Sequence, residues 1–133
     1  HYILKIGAQV TQLQLSTPER ILNAVTAYSI SAVNIMRLNY LARVHPQWTI
    51  NEVSISVLKH KALYTYAHIN MDKRLTFDPM HPPSIKDFVF TIARLGGFTN
   101  FSNQPYPGLK VFWRGWNIFQ TILKSYQAFA DNG

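Results

Sequence analysis

Apolar residues recur every three or four positions from about residue 18 to residue 43, which is the spacing of an amphipathic α-helix. The pattern stops at His45-Pro46, because the residue that precedes a proline is disfavoured in helical geometry. The sequence therefore predicts a long helix near 18–43. The positions of its apolar stripe are Ile21, Ala24, Val25, Tyr28, Ala32, Ile35, Leu38 and Ala42.

Capping signals mark the start of two predicted helices. Ser16 or Thr17 can cap the long helix, Pro18 suits its first turn, and Glu19 completes a Ser-x-x-Glu capping box with Ser16. Ser84 opens the sequence "SIKDFVFTIARL" with a similar box, and the Gly-Gly pair that follows this sequence provides a C-terminal cap. These signals are local and need no knowledge of the rest of the fold.

The remaining segments divide into two more helices and the connections between them. Apolar spacing predicts one helix from about 56 to 69 and a final helix from about 109 to 130. Residues 47–55 are predicted to form a loop with a short extended piece, and the proline-rich stretch 70–83 a linker. The expected fold class is mainly α, with about four helices. The predicted buried stripe of the 56–69 helix is Leu58, Ala62, Leu63, Tyr66 and Ile69.

The composition is that of a folded domain with a basic surface. The chain has 133 residues, of which 47% are apolar or aromatic, and this is enough for one hydrophobic core. Thirteen Lys and Arg residues against six Asp and Glu give a formal charge of +7, which favours a polyanion such as nucleic acid as partner. No cysteine is present, which excludes disulfides and thiol chemistry. No apolar run approaches the roughly 20 residues that span a bilayer, so we expect no membrane association.

The acidic and histidine residues lack the spacing of a catalytic or metal site. No two of the six carboxylates are spaced to lie on one helix face, as a two-metal or acid–base site requires. The five histidines form no His-x-x-x-His or His-Glu-x-x-His motif, and neither a phosphate-binding loop nor a Gly-x-Ser-x-Gly elbow occurs. We therefore expect no catalytic residue, no metal and no cofactor in this chain. A carboxylate pair assembled by the tertiary structure is the alternative.

Two tryptophans in the last helix raise a separate question. Trp113 and Trp116 are three residues apart, which places them on one helix face, and Arg114 and Gly115 separate them. They can belong to the core, stack on single-stranded nucleic acid, or contact another chain, and the core is the default for residues of this size. Gly115 costs a helix about 1 kcal/mol, a cost that is usually offset by the close approach of another backbone.

The segment "IARLGGF" (92–98), followed by "PGLKVFWRGW" (107–116), resembles the C-terminal part of bacterial cut-and-paste DDE transposases of the transposon-five type. In that family a helix end of this sequence, a variable polar loop and a helix with a Trp-x-Gly-Trp element follow one another in this order. Residues 113–116 match that last element. The order and length of the match make it more specific than a single short motif.

A second part of the resemblance lies at the start of the chain. The family has a Tyr-x-x-Arg-x-x-x-Glu-x-x-x-x-x-x-Lys signature whose Glu is a metal ligand, and His1, Lys5 and Gly7 fit its continuation. The resemblance then implies that residues 1–15 are the tail of an RNase H-like catalytic core whose Asp, Asp and Glu residues lie upstream. Residues 16–133 would be a helical C-terminal dimerisation region.

The resemblance also implies functions for particular residues. The parent protein would be a Mg²⁺-dependent DNA transposase of the bacterial cytoplasm, whereas this chain by itself would not be an enzyme. Its expected partners are double-stranded DNA at the transposon ends, through phosphate contacts of Lys5, Gln14 and Arg20, and a second copy of itself. The expected homodimer contacts are Trp116, Ile118, Phe119, Ile122, Tyr126 and Phe129.

A free-standing helical DNA-binding regulator is the alternative reading from a different class of protein. It would require a compact helix-turn-helix with basic residues on its second helix. The stretch 70–83 is long and rich in proline for such a turn, which favours the transposase interpretation.

Overall fold

The structure is a computed structural model that describes residues 17–99 and 105–132 of the chain. These described residues form four α-helices, α1 (Pro18–Val44), α2 (Val57–Asn70), α3 (Ile85–Leu95) and α4 (Leu109–Asn132). In the described residues the only β-type pairing is an isolated antiparallel bridge between Thr49 and Ser84. The predicted mainly α fold and its four helices are therefore confirmed.

The chain divides into two compact units, His1–Arg37 and Leu38–Gly133. The described part of the first unit is α1 as far as Arg37, and the second unit contains the rest of α1 and the other three helices. The predicted boundary between residues 15 and 16 lies outside the described residues. The same holds for the helix end expected at 1–6 and the extended segment expected after it.

The first turn of α1 is capped by Thr17, whose Oγ1 accepts a hydrogen bond from the backbone N–H of Arg20 at 3.1 Å. Pro18 occupies the first helical position, as predicted. Ile35 in the first unit is fully buried, as its place in the predicted stripe requires, but Val25 is 43% exposed. The prediction for Val25 was wrong, because periodicity identifies an apolar face and not how much of that face is covered.

By length and composition alone, α1 could cross a membrane, and it is the one described helix of which this is true. The expectation that no segment meets this test was therefore wrong. Between Arg20 and Arg37 its polar residues carry no charge, and the hydroxyl of Ser29 donates to the backbone oxygen of Val25 at 2.8 Å. Core helices of proteins outside membranes pass the same test of length and composition.

The core of the second unit is built around α3. The buried face of α3 meets the aromatic residues of α4, and Phe119 lies edge-on to both Phe88 and Trp116. Ser84 caps the helix by accepting the backbone N–H of Asp87 at 3.2 Å, as its predicted capping box requires. The buried side chains of α3 are Ile85, Phe88, Val89, Thr91, Ile92 and Ala93.

Two glycines allow α3 and α4 to cross at backbone contact. A Cβ added to Gly115 would overlap the carbonyl oxygen of Ile92 and lie 2.8 Å from its carbon. A Cβ added to Gly96 would lie 2.7 Å from the nitrogen of Gly115. The predicted close approach at Gly115 is confirmed. Arg114 strengthens the crossing, since its Nη1 donates to the carbonyl oxygen of Gly96 at 3.2 Å.

The Gly-Gly pair ends α3 as the sequence predicts. Gly97 has a φ of 101°, and its N–H bonds to the carbonyl oxygen of Arg94, while the N–H of Phe98 bonds to that of Ala93. These are the two hydrogen bonds of a Schellman cap, which satisfies carbonyl groups that the helix leaves open.

His60 is a buried histidine between two lysines, Lys59 and Lys61. Its side chain is 3% exposed. Its ring lies edge-on to Tyr64 at 5.0 Å and to Phe77 at 4.7 Å between ring centroids. The imidazole is therefore a core residue that joins α2 to the segment after it.

Candidate functional site: an apolar groove between α2 and α4

α2 and α4 lie in contact, and the space along their junction forms an open groove with a volume of about 740 Å³. Ala62, Tyr66 and Ile69 form the α2 wall, one or two helical turns apart. Among the described residues, no charged side chain lines the groove. The described lining residues are Ala62, Thr65, Tyr66, Ile69, Asn70, Ile118, Thr121, Ile122, Ser125, Tyr126 and Phe129.

The polar groups of the groove are partly satisfied by their own helices. The side-chain amide of Asn70 donates to the carbonyl oxygen of Tyr66 at 3.1 Å, and the hydroxyl of Thr121 donates to that of Asn117 at 3.3 Å. These two side chains therefore have less need of water or of a polar partner. A surface of this kind favours an apolar ligand or an apolar protein surface.

Four of the six predicted dimer contacts come together on the α4 wall of this groove, and two do not. Ile118 and Phe129 are 37% and 83% exposed, and Ile122 and Tyr126 are half-buried. Trp116 and Phe119 lie instead in the core, where they are 4% and 0% exposed.

Trp116 and Phe119 are therefore corrected from surface contacts to core residues. Helical geometry explains the division, since positions 118, 122, 125 and 129 share one side of α4, whereas the buried positions 112, 116, 119 and 123 share another, from which Phe119 contacts Phe88 of α3. A side chain buried to this degree contacts a second molecule only if the helix moves. Sequence reasoning treated α4 as one apolar helix and could not assign its faces.

Ile69 completes the groove, although the sequence predicted it to be buried. It is 70% exposed, at the C-terminal end of α2. Of the five positions in the predicted stripe of α2, only Ala62 and Leu63 are buried, and the helix also buries His60, Tyr64 and Ala67. The prediction for Ile69 was wrong, because periodicity identifies an apolar face and not how much of that face is covered.

The predicted DNA contacts are only partly within the described residues. Lys5 and Gln14 lie outside them. Arg20 is exposed in the first turn of α1, close to backbone N–H groups that attract anions. The connection between α2 and α3 runs from Met71 to Ser84. It is longer than the turn of a compact helix-turn-helix, which has roughly three or four residues.

Two acidic residues, Asp72 and Asp78, pair with local partners. In the described part of the chain no three His, Asp or Glu residues are grouped as a metal site would need. Arg74 donates from Nη2 to Asp72 at 2.9 Å and from Nε at 3.1 Å, and these hydrogen bonds lower the pKa of Asp72 to about 2. His81 lies 2.8 Å from Asp78, and this contact lowers the pKa of the Asp78 carboxyl.

Sequence reasoning missed a group of cations and aromatic rings, which we name the Tyr106 patch: Arg43, Lys86, Phe90 and Tyr106. The guanidinium carbon of Arg43 lies 5.7 Å from the Tyr106 ring centroid, and Lys86 Nζ lies 6.0 Å from the same centroid. Lys86 Nζ is also 5.6 Å from the Phe90 centroid. The four-residue spacing of Lys86 and Phe90 was the one local signal, since α1 and Tyr106 join the patch only in the folded chain.

Comparison of the chain with protein-family models, with curated proteins and with solved structures gave no match. The functional interpretation therefore depends on the residues themselves and on the resemblance stated above.

Proposed function

We propose that this chain is the C-terminal association region of a bacterial DNA transposase of the transposon-five type, and that two copies associate through the α2–α4 groove. In the parent protein, such association would bring two bound transposon ends together and couple strand cleavage to their pairing. The observation that carries the proposal is the alignment of Ile118, Ile122, Tyr126 and Phe129 along one wall of an uncharged groove. The resemblance of residues 92–98 and 107–116 to these transposases supplies the class of protein.

A second copy of the chain is the occupant that fits this surface best. In a two-fold symmetric dimer the same surface of each copy contacts the other, so that surface must be self-complementary. The groove has this property, since an exposed Phe129 lies beside an apolar cleft that can receive the Phe129 of a second copy. Each copy carries a formal charge of +7, and an uncharged contact surface lets two such chains meet without burying a charge.

In this proposal the chain contributes DNA contacts, and the rest of the parent protein carries out catalysis. Lys5, Gln14 and Arg20 would contribute auxiliary phosphate contacts to double-stranded transposon ends. The Mg²⁺-dependent chemistry would belong to carboxylates upstream of residue 1, and the parent protein would act in the bacterial cytoplasm. The isolated chain should not nick supercoiled DNA in the presence of Mg²⁺, and metal-dependent nicking by the pure protein would refute this division.

The association is tested by sedimentation velocity of the whole chain over a concentration series. We expect a monomer–dimer equilibrium, and Phe129→Ala should weaken the dimer about tenfold or more because association would bury this exposed aromatic side chain. Ile69→Ala on the opposite wall should weaken it in the same direction. Trp116→Ala is not a suitable variant, since removing a core side chain would unfold the helix packing.

Met80→Ala is the matched control, because Met80 is 81% exposed and does not line the groove. The control should sediment like the unmodified chain. A monomer at every concentration, or an equal loss of association in Met80→Ala, would exclude the groove as a dimer contact.

A further inference from the structure

We propose that the Tyr106 patch and the neighbouring Trp48 bind single-stranded nucleic acid. In this site Arg43 and Lys86 contact backbone phosphates, and Trp48 stacks on an unpaired base. The site shares no residue with the α2–α4 groove or with Lys5, Gln14 and Arg20. The two proposals can therefore be tested independently of each other.

The first observation is a local excess of positive charge. Arg43 and Lys86 come from α1 and α3, and both lie within 6.0 Å of one ring centroid, that of Tyr106. Neither forms an ion pair with the carboxylates in the described part of the chain. Two cations that flank one ring attract a phosphate, which can pair with both.

The acidic groups described for this unit are engaged elsewhere. Asp72 binds Arg74, and Asp78 binds His81. Glu52 accepts the hydroxyl of Thr49, and the charge of Asp87 acts on Tyr64. No described carboxylate forms an ion pair with either cation of the patch.

The second observation is that the patch is held in place before any ligand binds. The rings of Phe90 and Tyr106 meet edge-on with centroids 6.0 Å apart, and Phe90 also packs on the buried Phe98 at 5.5 Å. The cations rest against these rings through cation–π contacts. Side chains that are already ordered lose less entropy when they bind a phosphate.

The third observation is an exposed indole in the loop whose backbone is hydrogen-bonded to Ile85 and Lys86. Trp48 is 41% exposed and lies parallel to His45, with centroids 3.8 Å apart and 2° between the planes. The loop is fixed to the start of α3, since Ile85 donates its N–H to the Trp48 carbonyl oxygen at 2.6 Å and Lys86 donates to that of Pro46 at 3.4 Å. Trp48 therefore extends from the segment that lies directly against the backbone of Lys86.

Two cations together with an exposed indole favour single-stranded nucleic acid over other polyanions. Base–aromatic stacking beside a positive groove is how proteins bind single strands of any sequence, whereas the bases of a duplex already stack on one another. An acidic peptide would use the two cations but would gain nothing specific from the indole. Trp113 and Trp116, each 4% exposed, offer no surface for a base.

The test measures fluorescence anisotropy of a labelled oligothymidylate titrated with the whole chain at several salt concentrations. The Arg43→Gln, Lys86→Gln double variant should weaken binding and reduce the slope of log affinity against log salt by about 1.4, that is about 0.7 per phosphate contact. Trp48→Ala should weaken binding about fivefold or more without changing the slope, and Trp48→Phe should retain most of the affinity.

The matched control is Lys73→Gln, Lys124→Gln, which removes two exposed charges elsewhere and lowers the net charge equally. It should bind the oligonucleotide more tightly than the patch double variant. Equal losses in the two double variants would show that only net charge matters, and would overturn the proposal. Tighter binding of a matched duplex, or unchanged affinity in Trp48→Ala with intact helical circular dichroism, would also overturn it.

Discussion

His60 shows how one buried side chain makes the stability of this protein depend on pH. Burial lowers the pKa of its imidazole, because the charged form loses its hydration, and the negative charge of Asp78 opposes this only in part. Tyr64, the nearest polar ring, has a pKa raised to about 12 by burial and so stays neutral. The folded protein therefore favours the uncharged histidine.

The sign of the effect follows from which state takes up the proton. Above about pH 6.5 the histidine is neutral in both states and its contribution to stability is complete. As the pH falls below that value, the unfolded chain is protonated first, so the free energy of unfolding should decrease. Urea unfolding of the unmodified chain and of His60→Phe between pH 8 and pH 5 measures this, and the decrease should be smaller in the variant.

His68→Gln is the control for this experiment. His68 is exposed and its Nδ1 lies 2.9 Å from the Leu75 carbonyl oxygen, a contact that a glutamine amide can replace. If His68→Gln flattens the pH dependence as much as His60→Phe does, the buried imidazole is not its source.

At the scale of elements, the crossing of α3 and α4 is the contact on which the second unit is built. It brings the Schellman cap of α3 against α4 at Gly115, and the guanidinium of Arg114 holds a carbonyl of that cap. The same crossing turns Phe112, Trp116 and Phe119 toward α3. It therefore decides which face of α4 is left for the groove.

The Gly115→Ala variant shows whether backbone packing or helix propensity has the larger effect on the free energy of unfolding. Propensity alone predicts that alanine stabilises the helix by about 1 kcal/mol. The structure predicts the opposite, a loss of about 3 kcal/mol, because the added Cβ meets the backbone of Ile92, which cannot rotate away. Equilibrium urea unfolding distinguishes the two signs.

Asn117→Ala serves as the comparison, since Asn117 is exposed on the same helix. It should be neutral or slightly stabilising. A Gly115→Ala variant that is as stable as the unmodified chain would mean that the two backbones are not in contact.

At the scale of the whole molecule, a formal charge of +7 repels a second copy of the chain and attracts nucleic acid. Two copies of the chain repel each other, and salt screens this repulsion, with a Debye length that falls from about 30 Å at 0.01 M to about 10 Å at 0.1 M. Nucleic acid is attracted, and salt weakens that attraction. One change of condition therefore separates the two kinds of association.

The dimer should become tighter as sodium chloride rises over this range, while binding to DNA should become weaker. Sedimentation velocity measures the first and anisotropy of a labelled oligonucleotide the second, on the same preparation. Phe129→Ala should weaken the dimer at every salt concentration and leave the DNA slope unchanged. A dimer that dissociates as salt rises would require charged contacts, which the groove does not contain.

The sequence by itself determined the four helices, their ends and the close approach at Gly115. The helices and their ends follow from interactions within a few residues, such as the hydroxyl of Ser84 on the N–H of Asp87 and the glycines after Leu95. Gly115 carried a signal because a glycine inside a helix is unfavourable unless another backbone lies close to it. Such signals are local, so they can be read without the rest of the fold. The composition also determined the positive charge, which does not depend on the conformation.

Only the tertiary structure decided which apolar and charged side chains are covered. Burial depends on residues far apart in the chain, so periodicity could not tell that Phe119 and His60 are inside while Ile69 is exposed. The α2–α4 groove and the Tyr106 patch each join residues from separate helices and loops. Surfaces of this kind exist only after the helices have packed, because packing is what selects the face that remains outside.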